Sequence, residues 1–178
     1  MKIMLVGHRP DKLDGYTRIK GATQKQIEWK LNRILDRALI KARRNNQELI
    51  VVSGMAQGVD QWIAALAIQK GIRVHAYIPF KDYGKTWPKS AREEYEYLLK
   101  RCSKVEYVSA GEYKIEKMHK RNQVMIGLSD YCIAIWDGTS GRTANCVSYM
   151  RKIGKPHMFI HPTTLQDQWV ITSQQHAA

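Results

Sequence analysis

The chain has 178 residues, suited to one domain with a full hydrophobic core. Its 44% hydrophobic content excludes a disordered polymer, and no apolar run approaches the roughly 18–20 residues of a bilayer span, so no membrane partner is expected. Lys and Arg number 29 against 16 Asp and Glu, a formal charge of +13 that attracts phosphates, whether on a free nucleotide or along nucleic acid.

Residues 2–6 form a short apolar run that reads as a first strand ending at Gly7. This run is only a strand long and no small-residue cleavage site follows it, so a cytoplasmic location is expected. A polar loop through His8-Arg9-Pro10 leads to a helix predicted over 23–45. There Ile27, Leu31, Ile34, Leu35, Ala38, Leu39 and Ala42 recur at helical spacing, with Thr23 as N-cap. On the same helix Lys30, Arg33, Arg37, Lys41 and Arg44 form a basic stripe, which suits either a solvated face or nucleic acid. Residues 49–52 are continuously apolar, as in a strand buried on both faces. A helix over 59–70 follows, with Trp62, Ile63, Leu66 and Ala67 turned inward and Gly71 as its stop.

Further strands are predicted over 72–78, 105–108, 131–136 and 156–160. Helices are predicted over 90–101, capped by Ser90, and over 114–128 and 143–153. Pro79-Phe80 and Trp87 offer aromatic surface that either stacks on a base or closes the core. Residues 163–178 lack a strong pattern and read as a C-terminal tail, frayed over 173–178. Cys102, Cys132 and Cys146 lack CxxC or metal-ligand spacing and read as core-filling thiols; no metal or cofactor is expected. The alternation of strand and helix predicts one α/β domain over 1–162, a Rossmann-like three-layer sandwich with a mostly parallel sheet of at least five strands. Ligands of such sheets lie beyond the carboxyl ends of the strands, so the loops there carry the functional information.

Three such loops stand out. Ser53-Gly54-Met55-Ala56-Gln57-Gly58-Val59-Asp60 joins a buried strand to a helix. Gly54 and Gly58 allow a tight turn and close approach to a phosphate, Ser53 and Gln57 add hydrogen bonds, and a side chain at Gly58 is expected to enter the ligand path. The alternative is a plain strand–helix turn in which Asp60 steadies the helix start. Asp137-Gly138-Thr139-Ser140-Gly141-Arg142-Thr143 offers small and hydroxyl residues for a phosphate or ribose, with Arg142 as a cation. Gly7-His8-Arg9 should lie beside the Ser53 loop, with Arg9 a phosphate candidate and His8 a hydrogen-bonding residue. Arg121 and Asn122 join the site if their helix starts at the same cleft.

Together these loops resemble the SLOG superfamily of Rossmann-like proteins, which includes the Lonely Guy phosphoribohydrolases, the DNA-processing protein DprA and the YpsA family. The segment Ser53–Asp60 is similar to the nucleotide cradle of DprA. Gly7-His8-Arg9-Pro10, Pro79-Phe80, Trp87, Arg121-Asn122, Ser129-Asp130 and the Asp137 loop follow the order of YpsA-type proteins. The resemblance implies a nucleotide or nucleotide-derived ligand, bound by a sensor or binding protein, and a homodimer. Met118-His119-Lys120-Arg121 also resembles the Lonely Guy helix motif, which implies Arg121 as a catalytic residue in N-glycosidic cleavage. The PGGxGTxxE loop of those enzymes is not matched, because Arg142 stands at a loop-glycine position and Cys146 at the glutamate. A DprA-like role would instead imply single-stranded nucleic acid as partner.

Overall fold

The computed structural model describes residues 1–16 and 19–171. In chain order its elements are β1 (Lys2–Gly7), a 3-10 turn (Pro10–Lys12), α1 (Ala22–Arg44), β2 (Ile50–Ser53), α2 (Val59–Gln69) and β3 (Arg73–Ile78). They continue with α3 (Lys89–Leu99), β4 (Lys104–Tyr107), α4 (Ile115–Leu128), β5 (Tyr131–Ile135), α5 (Arg142–Lys152), β6 (His157–Ile160) and β7 (Asp167–Val170). The strands order as β4-β3-β2-β1-β5-β6-β7, all parallel except β7, which runs antiparallel to β6. The expected Rossmann-like α/β architecture is therefore present.

The three layers follow from alternation along the strands, where successive side chains point to opposite faces. Ile3, Leu5, Val51, Val74, Ala76, Ile133 and Ile135 face one core with Ile27, Leu31 and Leu35 of α1 and Ile63 of α2. Met4, Val6, Val52, Cys132 and Ala134 face the other, against Met125 and Ile126 of α4 and Val147 and Met150 of α5. Each fully buried aliphatic side chain contributes about 1.5–3 kcal/mol, so the central strands hold the sheet from both sides.

Several local expectations change. The N-cap of α1 is Gly21, not Thr23, and the free N–H groups of Thr23 and Gln24 donate to the Asp14 carboxylate at 3.3 and 2.7 Å. Burial works against that charge, but these hydrogen bonds prevail and hold Asp14 below the ordinary carboxylate range. α3 is preceded by Pro88, so Ser90 lies inside it rather than at its cap. Trp62 and Leu66 face inward as expected, half-buried and packed against the core. Phe80, Tyr83, Trp87 and Tyr95 stack edge to face, with Phe80 only 5% exposed, so Phe80 and Trp87 close the core beyond α3. Beyond residue 162 the chain adds β7 to the sheet; the expected fraying over 173–178 falls outside the described residues. No described helix is long and apolar enough to cross a membrane.

Candidate functional site

The chain leaves β1 toward β2 on one side, while β5 pairs with β1 on the other. Connections diverge at such a switch point and leave a crevice at the carboxyl edge. A cavity of about 350 Å³ lies there. The segment after β1 supplies Gly7, His8, Arg9, Asp11 and Lys12; α4 supplies Met118, His119, Arg121 and Asn122; the entry to α5 supplies Thr139, Ser140, Gly141, Arg142 and Thr143. Ala56 and Asp60 close it from the β2 side, and Tyr16 stands at its mouth.

Hydrogen bonds tie these loops together. His8, 4% exposed, sits with Nε2 2.8 Å from Asp137 Oδ1 and joins the β1 and β5 ends. Asp137 also accepts from the hydroxyl and the N–H of Thr139, at 2.7 and 2.9 Å. Partial burial opposes the Asp137 charge, yet these donors and His8 hold its carboxyl far below the usual range. Lys12 reaches across to the Thr139 hydroxyl and the Ser140 carbonyl, at 2.9 and 3.1 Å.

The cavity lining includes two buried side chains of opposite charge that attract one another through space. Asp60 and Arg121 are each 4% exposed. The Arg121 guanidinium donates to the Gly54 carbonyl, and a Cβ at Gly54 would collide with that guanidinium and lie 2.9 Å from Asp60 Oδ2. Gly54 is thus required because the arginine crosses its backbone. Burial pushes the Asp60 carboxyl up to about 6, although Arg121, Arg9 and the N–H groups of Ala56 and Gly7 favour its charge. Arg121 Nε and Asn122 Oδ1 are buried with no hydrogen-bond partner among the described residues.

The raised Asp60 value has a testable consequence. The folded state binds this proton more tightly than the unfolded chain, so stability falls as pH rises from about 4 to about 6 and stays reduced above. From 3.8 to about 6 the change amounts to about 3 kcal/mol at pH 7. Urea unfolding of wild type and Asp60→Asn at pH 4 and 7 is expected to show the difference moving against wild type by about that amount. A pH-independent difference would place the titration elsewhere.

A family model described as the YspA SLOG family (YpsA) matches residues 3–167. The chain belongs to the YspA SLOG family. SPbeta prophage-derived protein YoqJ of Bacillus subtilis (strain 168) is 26% identical to it over 162 residues, 81% of this chain and 92% of YoqJ. Among solved structures, DNA processing protein A (DprA) from Streptococcus pneumoniae superposes with a TM-score of 0.60 at 21% identity, over 90% of this chain and 50% of that one. DprA from Helicobacter pylori, described for its single-stranded DNA binding mode, gives 0.58 at 22%, over 90% and 65%. The chain spans about half the length of the S. pneumoniae protein, and these structural likenesses are ones of fold.

Within this SLOG domain the predicted residues divide by position. Gly7, His8, Arg9, Asp60, Arg121, Asn122, Thr139, Gly141, Arg142 and Thr143 line the cavity. Asp137 acts through Thr139 and His8, and neither it nor Gly138 lines the cavity. Ser53 is fully buried; its hydroxyl donates to the Asp60 carbonyl and accepts from the Met55 N–H, so it shapes the turn. Gln57 is half-buried outside the lining. Gly58 departs most from expectation: a Cβ there would meet the His8 carbonyl oxygen at 2.8 Å and Pro10 Cδ at 3.0 Å, not the ligand path. It is needed for packing one loop on another. Lys12, Asp11, Tyr16 and Ser140 were not foreseen; the 3-10 turn begun by Pro10 swings Lys12 toward the β5 loop.

Proposed function

We propose that this SLOG domain binds a nucleotide or nucleotide-derived ligand in the crevice between the β1 and β5 ends, as a sensor or binding protein. The observation that carries this reading is the unpartnered pair Arg121 Nε and Asn122 Oδ1, buried on residues that line the cavity. Buried polar groups left unpaired are unfavourable, by about 1–3 kcal/mol each, and a ligand that pairs with them relieves this. Cations support an anionic ligand: Arg9, Lys12, Arg121 and Arg142 line the space against Asp11 and Asp60. α5 begins after Gly141 with no side-chain cap, leaving first-turn N–H groups for a phosphate.

Isothermal titration with nucleoside mono- and diphosphates, cyclic nucleotides, ADP-ribose and oligonucleotides tests this. Arg142 is exposed, so Arg142→Ala is expected to weaken the bound nucleotide about tenfold while moving stability by no more than about 0.5 kcal/mol. Arg37→Glu, on the basic stripe of α1 outside this cavity, serves as control and leaves that affinity unchanged. Equal loss in both variants, or none in Arg142→Ala, would count against the crevice.

A second reading, cleavage of an N-glycosidic bond with Arg121 against the substrate, has one observation in its favour. Asp60 lies in the cavity beside Arg121 with a carboxyl near 6, a value suited to proton transfer. Cys146 is not its nucleophile, since it is 2% exposed and burial pushes its thiol up to about 12. Chromatography of nucleoside monophosphates incubated with wild type and Asp60→Asn decides it: free base from wild type alone establishes catalysis.

A further inference from the structure

A second cavity of about 350 Å³ lies between α4 and α5, and it shares His119 and Asn122 with the first. Where the two meet, Asn145 Nδ2 and His119 Nε2 are 3.5 Å apart and exposed, at the outer limit of a hydrogen bond. The two spaces differ in chemistry. The first holds four cations, whereas the second is lined by the neutral groups of Gln123, Asn145, Ser148 and Tyr149 and the apolar Ile126, with Lys152 as its cation. Unpartnered Asn122 Oδ1 belongs to the residue at their junction.

We propose that this α4–α5 groove is the nucleoside subsite: phosphate rests on the loops and the entry to α5, and the base lies between the helices with an N–H donor directed to Asn122. The inference rests on the nucleotide reading above and adds which part of the ligand goes where. A nucleobase is flat, apolar on its faces and amide-like at its edges; amide side chains pair with such edges, and aliphatic or aromatic ones cover the faces. From Thr143 to Tyr149 α5 rises about 9 Å, the reach of a nucleoside phosphate rather than of phosphate alone. Ligand pockets commonly occupy about 300–1,000 Å³, and the two spaces joined fall well inside that range while each alone stands near its floor.

Titration of wild type with AMP, GMP, CMP, UMP and ribose 5-phosphate, repeated with Ser148→Trp, tests the assignment. Ser148 is exposed on α5, so the indole fills the groove without entering the core. At least one nucleotide is expected to bind wild type about tenfold more tightly than ribose 5-phosphate, and Ser148→Trp is expected to erase that advantage while keeping ribose 5-phosphate binding. Gln123→Trp fills the same groove from exposed α4 and gives the same result if Ser148→Trp does not fold. A nucleotide advantage that survives the indole overturns the subsite alone, as does wild type binding ribose 5-phosphate as tightly as every nucleotide. Wild type that binds none of the five overturns the nucleotide reading together with it.

Discussion

Gly58→Val is expected to destabilise the protein by about 3–5 kcal/mol and to abolish ligand binding with it. Gly58 has φ +94° and ψ −135°, a backbone conformation that side chains other than glycine rarely adopt. The added Cβ would also press on the His8 carbonyl, on Pro10 Cδ and on Arg9 Cα, the last at 3.2 Å. Two of these three atoms are backbone, so no rotamer change relieves the contact. The loop after β1 must move, and it carries His8, Arg9 and Lys12 of the cavity wall. Thermal unfolding is the direct measurement, with a fall of roughly 10 °C expected for a domain of this size. Unchanged thermal stability with lost binding would return Gly58 to the ligand path.

Arg121→Met has the second large effect, and its size depends on pH. The arginine favours the Asp60 charge, so its removal shifts Asp60 toward its protonated form; from a carboxyl near 6 this costs at most about 1.4 kcal/mol at pH 7, added to about 1–3 kcal/mol at either pH for the lost hydrogen bond to the Gly54 carbonyl. Without Arg121 the Asp60 carboxyl moves above its present value of about 6. The loss is therefore expected to be larger at pH 7 than at pH 4 by up to about 1.4 kcal/mol, because at pH 4 Asp60 is protonated with or without the arginine. Denaturant unfolding at the two pH values measures it. Adding Asp60→Asn is expected to restore much of the stability at pH 7 but, on the proposed reading, not nucleotide affinity, because Arg121 Nε is buried without a partner on the cavity wall. If the double variant regains affinity, Arg121 positions Asp60 and does not touch the ligand.

The centre of the sheet was legible because its strands are short apolar runs bounded by turn residues, and burial on both faces demands that composition. Ile3 to Val6 and Ile50 to Val52 are buried at every residue, and both were read as strands from the sequence. β7 was not legible: Asp167 and Gln168 are exposed at the sheet edge, and pairing with β6 holds a strand that its own hydropathy does not announce. The cap of α1 escaped for a related reason. Thr23 fits the local pattern, but the carboxylate that receives the free N–H groups comes from Asp14, in the preceding loop.

By itself the sequence determined the fold class and the composition of the loops at the strand ends. Hydropathy period and loop composition are local properties, and glycine, hydroxyl and arginine at strand ends suit a phosphate in any sheet of this kind. Only the tertiary structure decided which of those residues line the cavity and which hold the others in place. Ser53, Gly54 and Gly58 serve an arginine and a loop that stand 67 and 50 residues away or bond within their own turn. His8 meets Asp137 across 129 residues of chain. Such roles depend on distances between elements, and those are set by how helices pack on the sheet rather than by any local run of residues.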